Sequence, residues 1–346
     1  MAWALQLYNY FGEERRNEIT QMLLLQAGTW AYLRTVAMNR SNLEAIVDCL
    51  VIGGGPAGLA AAIYLARFHL TVALIDQGNG RAALIPMTHN LPGFPAGIAG
   101  SALLERMRRQ ARNYGAVLRR GTVDTLTPDP LGFRASSDRS SLHARSVLLA
   151  TGVVNHRPSM ISDTDHSIAL ARGLIRYCPI CDGFEVTDRR IAVLGTGDAG
   201  CKEALFLRSY SAGIALIATA EGHRLDKAQG KKLADAGIDV LGNCRTISIK
   251  GELLELDIDG VGLQFDTLYP ALGTEMRSEL AAQMQADLTE DRCLIVDAHQ
   301  RTSIPGLYAA GDVVVGLDQI SNAIGQGSVA ATTIRNDLAR LAPLQR

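Results

Sequence analysis

Apolar residues in this chain fall in short unbroken runs that end on glycine, and a helical pattern starts directly behind two of them. In "CLVIGGGPAGLAAAIYLARF", 49–68, Leu50 to Ile52 run into Gly53, Gly55 and Gly58 before alanine and leucine recur at helical spacing. A short run that is apolar on both faces predicts a strand buried in a parallel sheet. The next run, "TVALID", closes on Asp76, 18 residues beyond Gly58. Strand, glycine turn, helix and a second strand with a terminal acid make a dinucleotide-binding βαβ unit. Its glycines let the backbone approach a pyrophosphate at the helix N-terminus, and its acid takes a ribose hydroxyl.

The order then recurs. In "RIAVLGTGDAGCKEALFLRSY", 190–210, Ile191 to Leu194 enter Gly195, Gly197 and Gly200; a helix follows, then "GIALIA". The repeat predicts an α/β fold with two Rossmann-like, three-layer dinucleotide-binding domains. It implies either two cofactors, or one cofactor and a domain that keeps its shape but binds nothing. The second copy closes its strand on Ala218, Thr219, Ala220 and Glu221, with no acid at the strand end and no arginine pair behind it. His223 and Arg224 fall where the next helix is expected to start. A third run, "TSIPGLYAAGDVVVG" at 302–316, leads a short strand into Gly311 and Asp312. "NAIGQGSVAATTI" then supplies small residues for a helix N-terminus against a ligand.

Composition bounds the alternatives. A chain of 346 residues predicts two domains with their own cores. A formal net charge of -1 argues against a broad nucleic-acid face, and "RMRRQAR" at 106–112 reads as the solvated side of one helix. No apolar run approaches the roughly 18 residues of a membrane span. Glu13 and Glu14 stand where a signal peptide would carry positive charge, so the chain reads as cytoplasmic. Six cysteines are too few for a disulfide scaffold.

Two of those cysteines, Cys178 and Cys181, stand together in "RYCPICDGFE", 176–185. They could be half of a zinc site, an inert buried pair or a working disulfide. Zinc needs four ligands, usually two such pairs; no second CxxC exists and the seven histidines show no paired spacing, so no metal is expected. Cys49, Cys201, Cys244 and Cys293 are scattered and read as core or half-buried residues. At spacing i, i+3 in a helical turn both sulfurs share a face, and a thiol at a helix N-terminus has its thiolate stabilised by free amides. Asp182 is placed either to move a proton or to cap a helix.

The ordered set of motifs from residue 48 onward resembles the low-molecular-weight thioredoxin reductases, which are FAD-dependent pyridine nucleotide-disulfide oxidoreductases. It comprises "GGGPAG" at 53–58, "HNLPGFP" at 89–95, "LLATG" at 148–152, "CPICDG" at 178–183, "GTGDAG" at 195–200, "ALG" at 271–273, "TSIPGLYAAGD" at 302–312, and Gln319 before "GQG" at 325–327. The resemblance implies an FAD site of Gly53, Gly55, Gly58 and Asp76, with Gly152 beside the cofactor. Asn90 would face the flavin, Gly311 and Asp312 the phosphate and ribitol, and Gln319 the isoalloxazine ring. It implies Cys181 nearest the flavin, Cys178 as the outer nucleophile, and Asp182 as the proton-moving group. Gly195, Gly197 and Gly200 would take NADPH or NADH.

The resemblance further implies a discontinuous FAD domain, 48–157 and 287–346, with an inserted domain at 158–286 that swivels on linkers near "GVVNHRPSM" and "PALGTEM". The family is typically a cytoplasmic homodimer acting on a thioredoxin-like disulfide protein. Where the family carries a histidine-arginine-arginine cluster for the NADPH 2′-phosphate, this chain has "ATAEGH"; where it carries glycine-glycine-glutamine, this chain has "GNGRAALIP". Two rival readings follow. One is the same fold with ferredoxin, a second FAD or a dithiol as electron source. The other is a binding module that keeps FAD only as structure. Residues 1–47 match no part of the family and read as an N-terminal extension: either a partner-binding or membrane-surface helix or, the favoured reading, an upstream start with Met38 as the initiator.

Overall fold

The computed structural model describes residues 46–137 and 140–344. The readings placed on the stretch before residue 46 lie outside the described residues. Strand β1 (Val47–Ile52) is buried over its last four positions, the pattern of a central parallel strand. Helix α1 (Pro56–Arg67) follows at once, with Pro56 at the position where a missing N–H costs nothing. Next come β2 (Val72–Asp76), α2 (Gly100–Asn113), β3 (Val117–Arg120), β4 (Thr125–Asp129), β5 (Gly132–Ser137) and β6 (Ser140–Leu149). Their sheet runs β3-β2-β1-β6-β5-β4, parallel from β3 to β6 and antiparallel beyond. Helix α2 buries Leu103, Leu104, Met107 and Ala111 and turns its basic residues outward. One of them, Arg108, reaches to 3.9 Å from the Asp76 carboxylate.

The chain leaves this sheet through β7 (Val153–Asn155) and enters α3 (Asp163–Ala171), capped by the Ser162 hydroxyl, and the short α4 (Pro179–Asp182). A second sheet follows: β8 (Ile191–Leu194), α5 (Gly197–Leu207), β9 (Ile214–Ala218), α6 (Lys227–Asp235), β10 (Asp239–Lys250), β11 (Leu253–Ile258), β12 (Val261–Phe265) and β13 (Thr267–Pro270). Its order is β12-β11-β10-β9-β8-β13. His223 and Arg224 precede α6 instead of opening it. Asp226 and Gln229 form a reciprocal capping box that fixes the start at Lys227.

The return passes through β14 (Thr274–Met276), which pairs antiparallel with β7, so the outgoing and returning chains run side by side. Helix α7 (Glu279–Gln283) and β15 (Leu307–Ala309) follow; β15 adds to the first sheet beside β6. The long α8 (Ile320–Leu341) then lies on α1. A side chain at Gly327 would come within 2.2 Å of the Ala57 carbonyl, so glycine is needed for so close a crossing. Among the described residues no helix is long and apolar enough to cross a membrane.

Candidate active site

A cavity of about 660 Å³ opens between the C-terminal edge of the first sheet and the α4 loop. Cofactor sites commonly fall between roughly 300 and 1,000 Å³. Gly53, Gly55, Asp76, Asn90, Gly152, Gly311, Asp312 and Gln319 line it from one side, and Cys178, Cys181 and Asp182 from the other. Gly58 does not line it. A Cβ there would lie 2.0 Å from the Gly53 carbonyl, so this glycine serves the packing of α1 on the turn. Gly55 is the opposite case: beyond its own chain neighbours, a Cβ would meet nothing within 4 Å. The N-terminus of α1 therefore faces open space at the point where a pyrophosphate needs room.

Asp312 bonds Arg81 at 3.2 Å, and the same guanidinium nitrogen holds Asp318 at 3.0 Å. Burial, followed by the Asp312 charge, pushes the Asp318 carboxyl upward against the pull of Arg81. Reading by motif passed over Arg81. The available signal was a lone charge set in "GNGRAALIP", where the chain departs from the family pattern.

Cys178 and Cys181 are joined in a disulfide with Cα atoms 5.2 Å apart. Cys178 is the N-cap of α4, and its sulfur accepts from the Cys181 amide at 3.2 Å. Asp182 closes that helical turn and caps nothing. Its carboxylate accepts from the Tyr269 hydroxyl at 2.8 Å and from Arg176 at 2.9 Å. Burial raises its pKa, Arg176 and Tyr269 oppose the rise, and Glu185 adds to it. Behind it, burial and then the Asp182 charge push Glu203 of α5 up to about 7. Arg176, Tyr269 and Glu203 carry no motif. Tyr269 and Glu203 lie far from the CxxC in sequence, and Arg176, two residues before it, has the ordinary look of a surface charge.

The second glycine set lies elsewhere. None of Gly195, Gly197 and Gly200 lines the cavity. Thr196 takes the Arg224 amide on its hydroxyl, and the Arg224 guanidinium pairs with Glu221. His223 turns its ring to the Leu241 carbonyl at 2.6 Å. Ala218 is fully buried. The first arginine behind the strand end, Arg224, is thus held by Glu221. Cys49, Cys201 and Cys244 are buried and Cys293 half-buried; burial pushes the Cys49 thiol up to about 12 and Cys244 to about 11. Among the described residues no His, Cys, Asp and Glu side chains gather into a metal-binding group.

Two Rossmann-like units, with a disulfide on one facing a glycine-lined cavity on the other, define a flavoprotein disulfide oxidoreductase of the thioredoxin-reductase type. The chain belongs to the pyridine nucleotide-disulphide oxidoreductase family, which matches residues 47–327. It is 34% identical over 313 residues to the thioredoxin reductase of Streptomyces clavuligerus, covering 85% of this chain and 95% of that one. It is 29% identical over 301 residues to the thioredoxin reductase of Treponema pallidum, covering 84% and 96%. Its fold superposes on the thioredoxin reductase of Streptococcus pyogenes with a TM-score of 0.78 at 26% identity, covering 86% and 99%.

Proposed function

We propose that this enzyme carries two electrons between FAD and the Cys178–Cys181 pair and passes them to a thioredoxin-like protein disulfide. The observation that carries the reading is the placement of that disulfide and Asp182 on the wall of the same cavity that Gly55, Asp76 and Asp312 line. The residues fit FAD: open space before the α1 N-terminus for the pyrophosphate, Asp76 for a ribose hydroxyl, and Asp312 with Arg81 further along the wall. FAD supplies the two-electron chemistry when bound. The chain's own residues then act on sulfur and protons. Reduction breaks the S–S bond and leaves two sulfurs that share one proton. Cys178 attacks the partner disulfide as the thiolate, a mixed disulfide forms and one partner thiolate leaves; Cys181 then gives up the shared proton, which ends on a partner sulfur, and resolves the mixed disulfide as the second partner sulfur leaves. Asp182 supplies a proton to a departing thiolate.

Ile180 and Phe184, 51% and 80% exposed, flank the pair with apolar surface suited to a protein partner. For that partner to reach Cys178 the α4 loop swings away from the cavity, with bending at Gly152 and Gly273 where β7 and β14 meet. The reading includes a homodimer, a cytoplasmic location and a second domain at 158–286 within 48–157 and 287–346. A second reading of the electron source is favoured by the Glu221–Arg224 pair and the run of Ala218, Thr219 and Ala220. In it a donor other than NADPH reduces the flavin: ferredoxin, a second FAD or a dithiol.

The site predicts that replacing Gly55 with leucine leaves a folded, colourless protein. Gly55 has φ -76° and ψ -175°, which any residue adopts, so the change strains nothing and only fills the space before α1. Circular dichroism should be unchanged while flavin absorbance is lost; full flavin in that variant overturns the site.

The function is tested by loading the enzyme with FAD, reducing it anaerobically and mixing it with an oxidised thioredoxin across a pH series. Two partner thiols should appear per flavin. The rate should fall at high pH, as Asp182 loses its proton, and at low pH, as the attacking thiolate is protonated. Removing the Glu203 charge lets Asp182 ionise more readily, so Glu203→Gln should move the alkaline fall to lower pH. Asp182→Asn should cost about a hundredfold or more. A rate indifferent to Asp182, or no partner thiols, overturns the reading.

A further inference from the structure

Among the described residues a single side chain hydrogen-bonds the redox sulfurs, and it comes from outside the loop that bears them. Gln319, at the N-cap of α8, sets its Nε2 3.4 Å from Cys178 Sγ and 3.3 Å from Cys181 Sγ. Through Oε1 the same amide accepts a 2.8 Å bond from Asn90 Nδ2. Asn90 Oδ1 accepts in turn from the Thr88 hydroxyl at 2.9 Å, and Nδ2 also reaches the Ile180 carbonyl at 3.5 Å. Thr88 is 4% exposed and Gln319 9%, so both anchors are held by packing. The order of these bonds decides which end of the amide meets sulfur. Reversed, Gln319 would aim its oxygen at sulfur lone pairs and its NH₂ at the NH₂ of Asn90.

A disulfide sulfur is a weak acceptor, whereas a thiolate is charged, and bonds to charged acceptors are roughly twice as strong. When the pair takes two electrons, from reduced flavin or from an external dithiol, the S–S bond breaks and one sulfur keeps a negative charge after one proton is taken up. Gln319 donates to both states and more strongly to the second. We propose that Gln319, oriented by Asn90 and Thr88, is the side-chain hydrogen-bond donor that stabilises the thiolate of the reduced pair, beside the Cys181 amide, and the clasp that keeps the redox loop against the cavity. Gln319 is thus a catalytic residue of the sulfur chemistry, and Asn90 a positioning residue that acts through it. The proposal rests on the redox reading above.

Most charged groups around the pair are engaged elsewhere; of the further arginines that line the cavity, Arg172 is held by Glu252, and Arg277 stands on the far wall with Thr151 on its carbonyl. On the loop itself Asp182 and Glu185 are acidic and oppose a thiolate. Arg176 and Tyr269 bond Asp182, and Glu203 stands behind it. From the cavity side Arg81 is bonded to Asp312 and Asp318, and the His89 ring lies against Gly97.

The test uses the FAD-loaded enzyme reduced with excess dithiothreitol and desalted anaerobically, with thiol alkylation by iodoacetamide followed across pH. Gln319→Met keeps the length and removes both donors, and the midpoint of the alkylation profile should rise by about one pH unit, a tenfold smaller thiolate fraction at neutral pH. Gln319→Glu should raise it further. Asn90→Leu keeps the donor but frees its orientation, so it should shift the midpoint in the same direction by less. An unmoved midpoint in Gln319→Met overturns the proposal, and so does a shift there that Asn90→Leu does not share. If Gln319→Met fails to fold, Asn90→Leu carries the test alone, and an unmoved midpoint there overturns the proposal. Because a small dithiol reduces the pair, the midpoint is readable even if no protein partner is ever reduced. Failure of the redox reading shows elsewhere, as partner reduction that survives loss of Cys178.

Discussion

Replacing either Cys178 or Cys181 with serine is expected to stop reduction of a protein disulfide while the flavin stays bound. Neither sulfur holds the cavity together: both sit on the α4 loop, and the walls at Gly55, Asp76 and Asp312 belong to other elements. Loss of a nucleophile with no neighbour to replace it should lower the rate about a thousandfold or more. The remaining free cysteines are no substitutes, since Cys49, Cys201 and Cys244 are buried and burial holds their thiols protonated. The two variants should differ in colour. On the proposed reading that Cys181 is the sulfur nearest the flavin, Cys178→Ser should leave a Cys181 thiolate there with a long-wavelength absorbance band, and Cys181→Ser should lack that band. Partner reduction at the wild-type rate in both variants would show that the disulfide is not part of the relay.

NADPH is expected to reduce the flavin slowly, with little preference over NADH. Its 2′-phosphate carries close to two negative charges, and proteins meet it with arginine in a bidentate or stacked arrangement. Here the strand end offers Ala218, Thr219 and Ala220, and the first arginine behind it, Arg224, is paired with Glu221. Two missing charge-assisted bonds at about 1.5 to 3 kcal/mol each make about 3 to 6 kcal/mol. That is about a hundredfold in affinity or more. The measurement is anaerobic bleaching of the flavin absorbance after mixing with each nucleotide. The double variant Thr219→Arg, Glu221→Gln installs one arginine and frees another, and should tighten NADPH at least about tenfold. Fast, saturable bleaching of the unmodified enzyme by micromolar NADPH overturns this expectation. Bleaching by a dithiol or reduced ferredoxin but by neither nucleotide favours the second reading of the electron source.

Much of the fold is legible from neighbours in the chain. Leu50 to Ile52 and Ile191 to Leu194 are too uniformly apolar to face water, and the glycines behind them allow the tight turn into a helix. The i, i+3 spacing brings Cys178 and Cys181 into one helical turn, and the observed disulfide needs nothing beyond that turn. The start of α6 shows where local reading slips. His223 and Arg224 look like the opening of a helix until the Asp226–Gln229 capping box outcompetes them, and the His223 ring finds its partner on β10. The reading of Asp182 as a cap fails for a related reason, since a buried tyrosine and an arginine claim its carboxylate.

By itself, then, the amino-acid sequence determined the two βαβ units, the reactive pair and the family, because each rests on spacing within one or two elements. Tertiary structure alone decided which remote side chains serve that pair and brace the cavity wall. Gln319 reaches sulfurs 138 and 141 residues away, Tyr269 reaches Asp182 across 87, and Arg81 reaches Asp312 across 231. Each of these contacts depends on the order of strands in the two sheets, the pairing of β7 with β14 and the close crossing of α8 on α1. Those arrangements arise from burying whole faces of sheet and helix against one another, and no single residue's type or spacing carries a record of them.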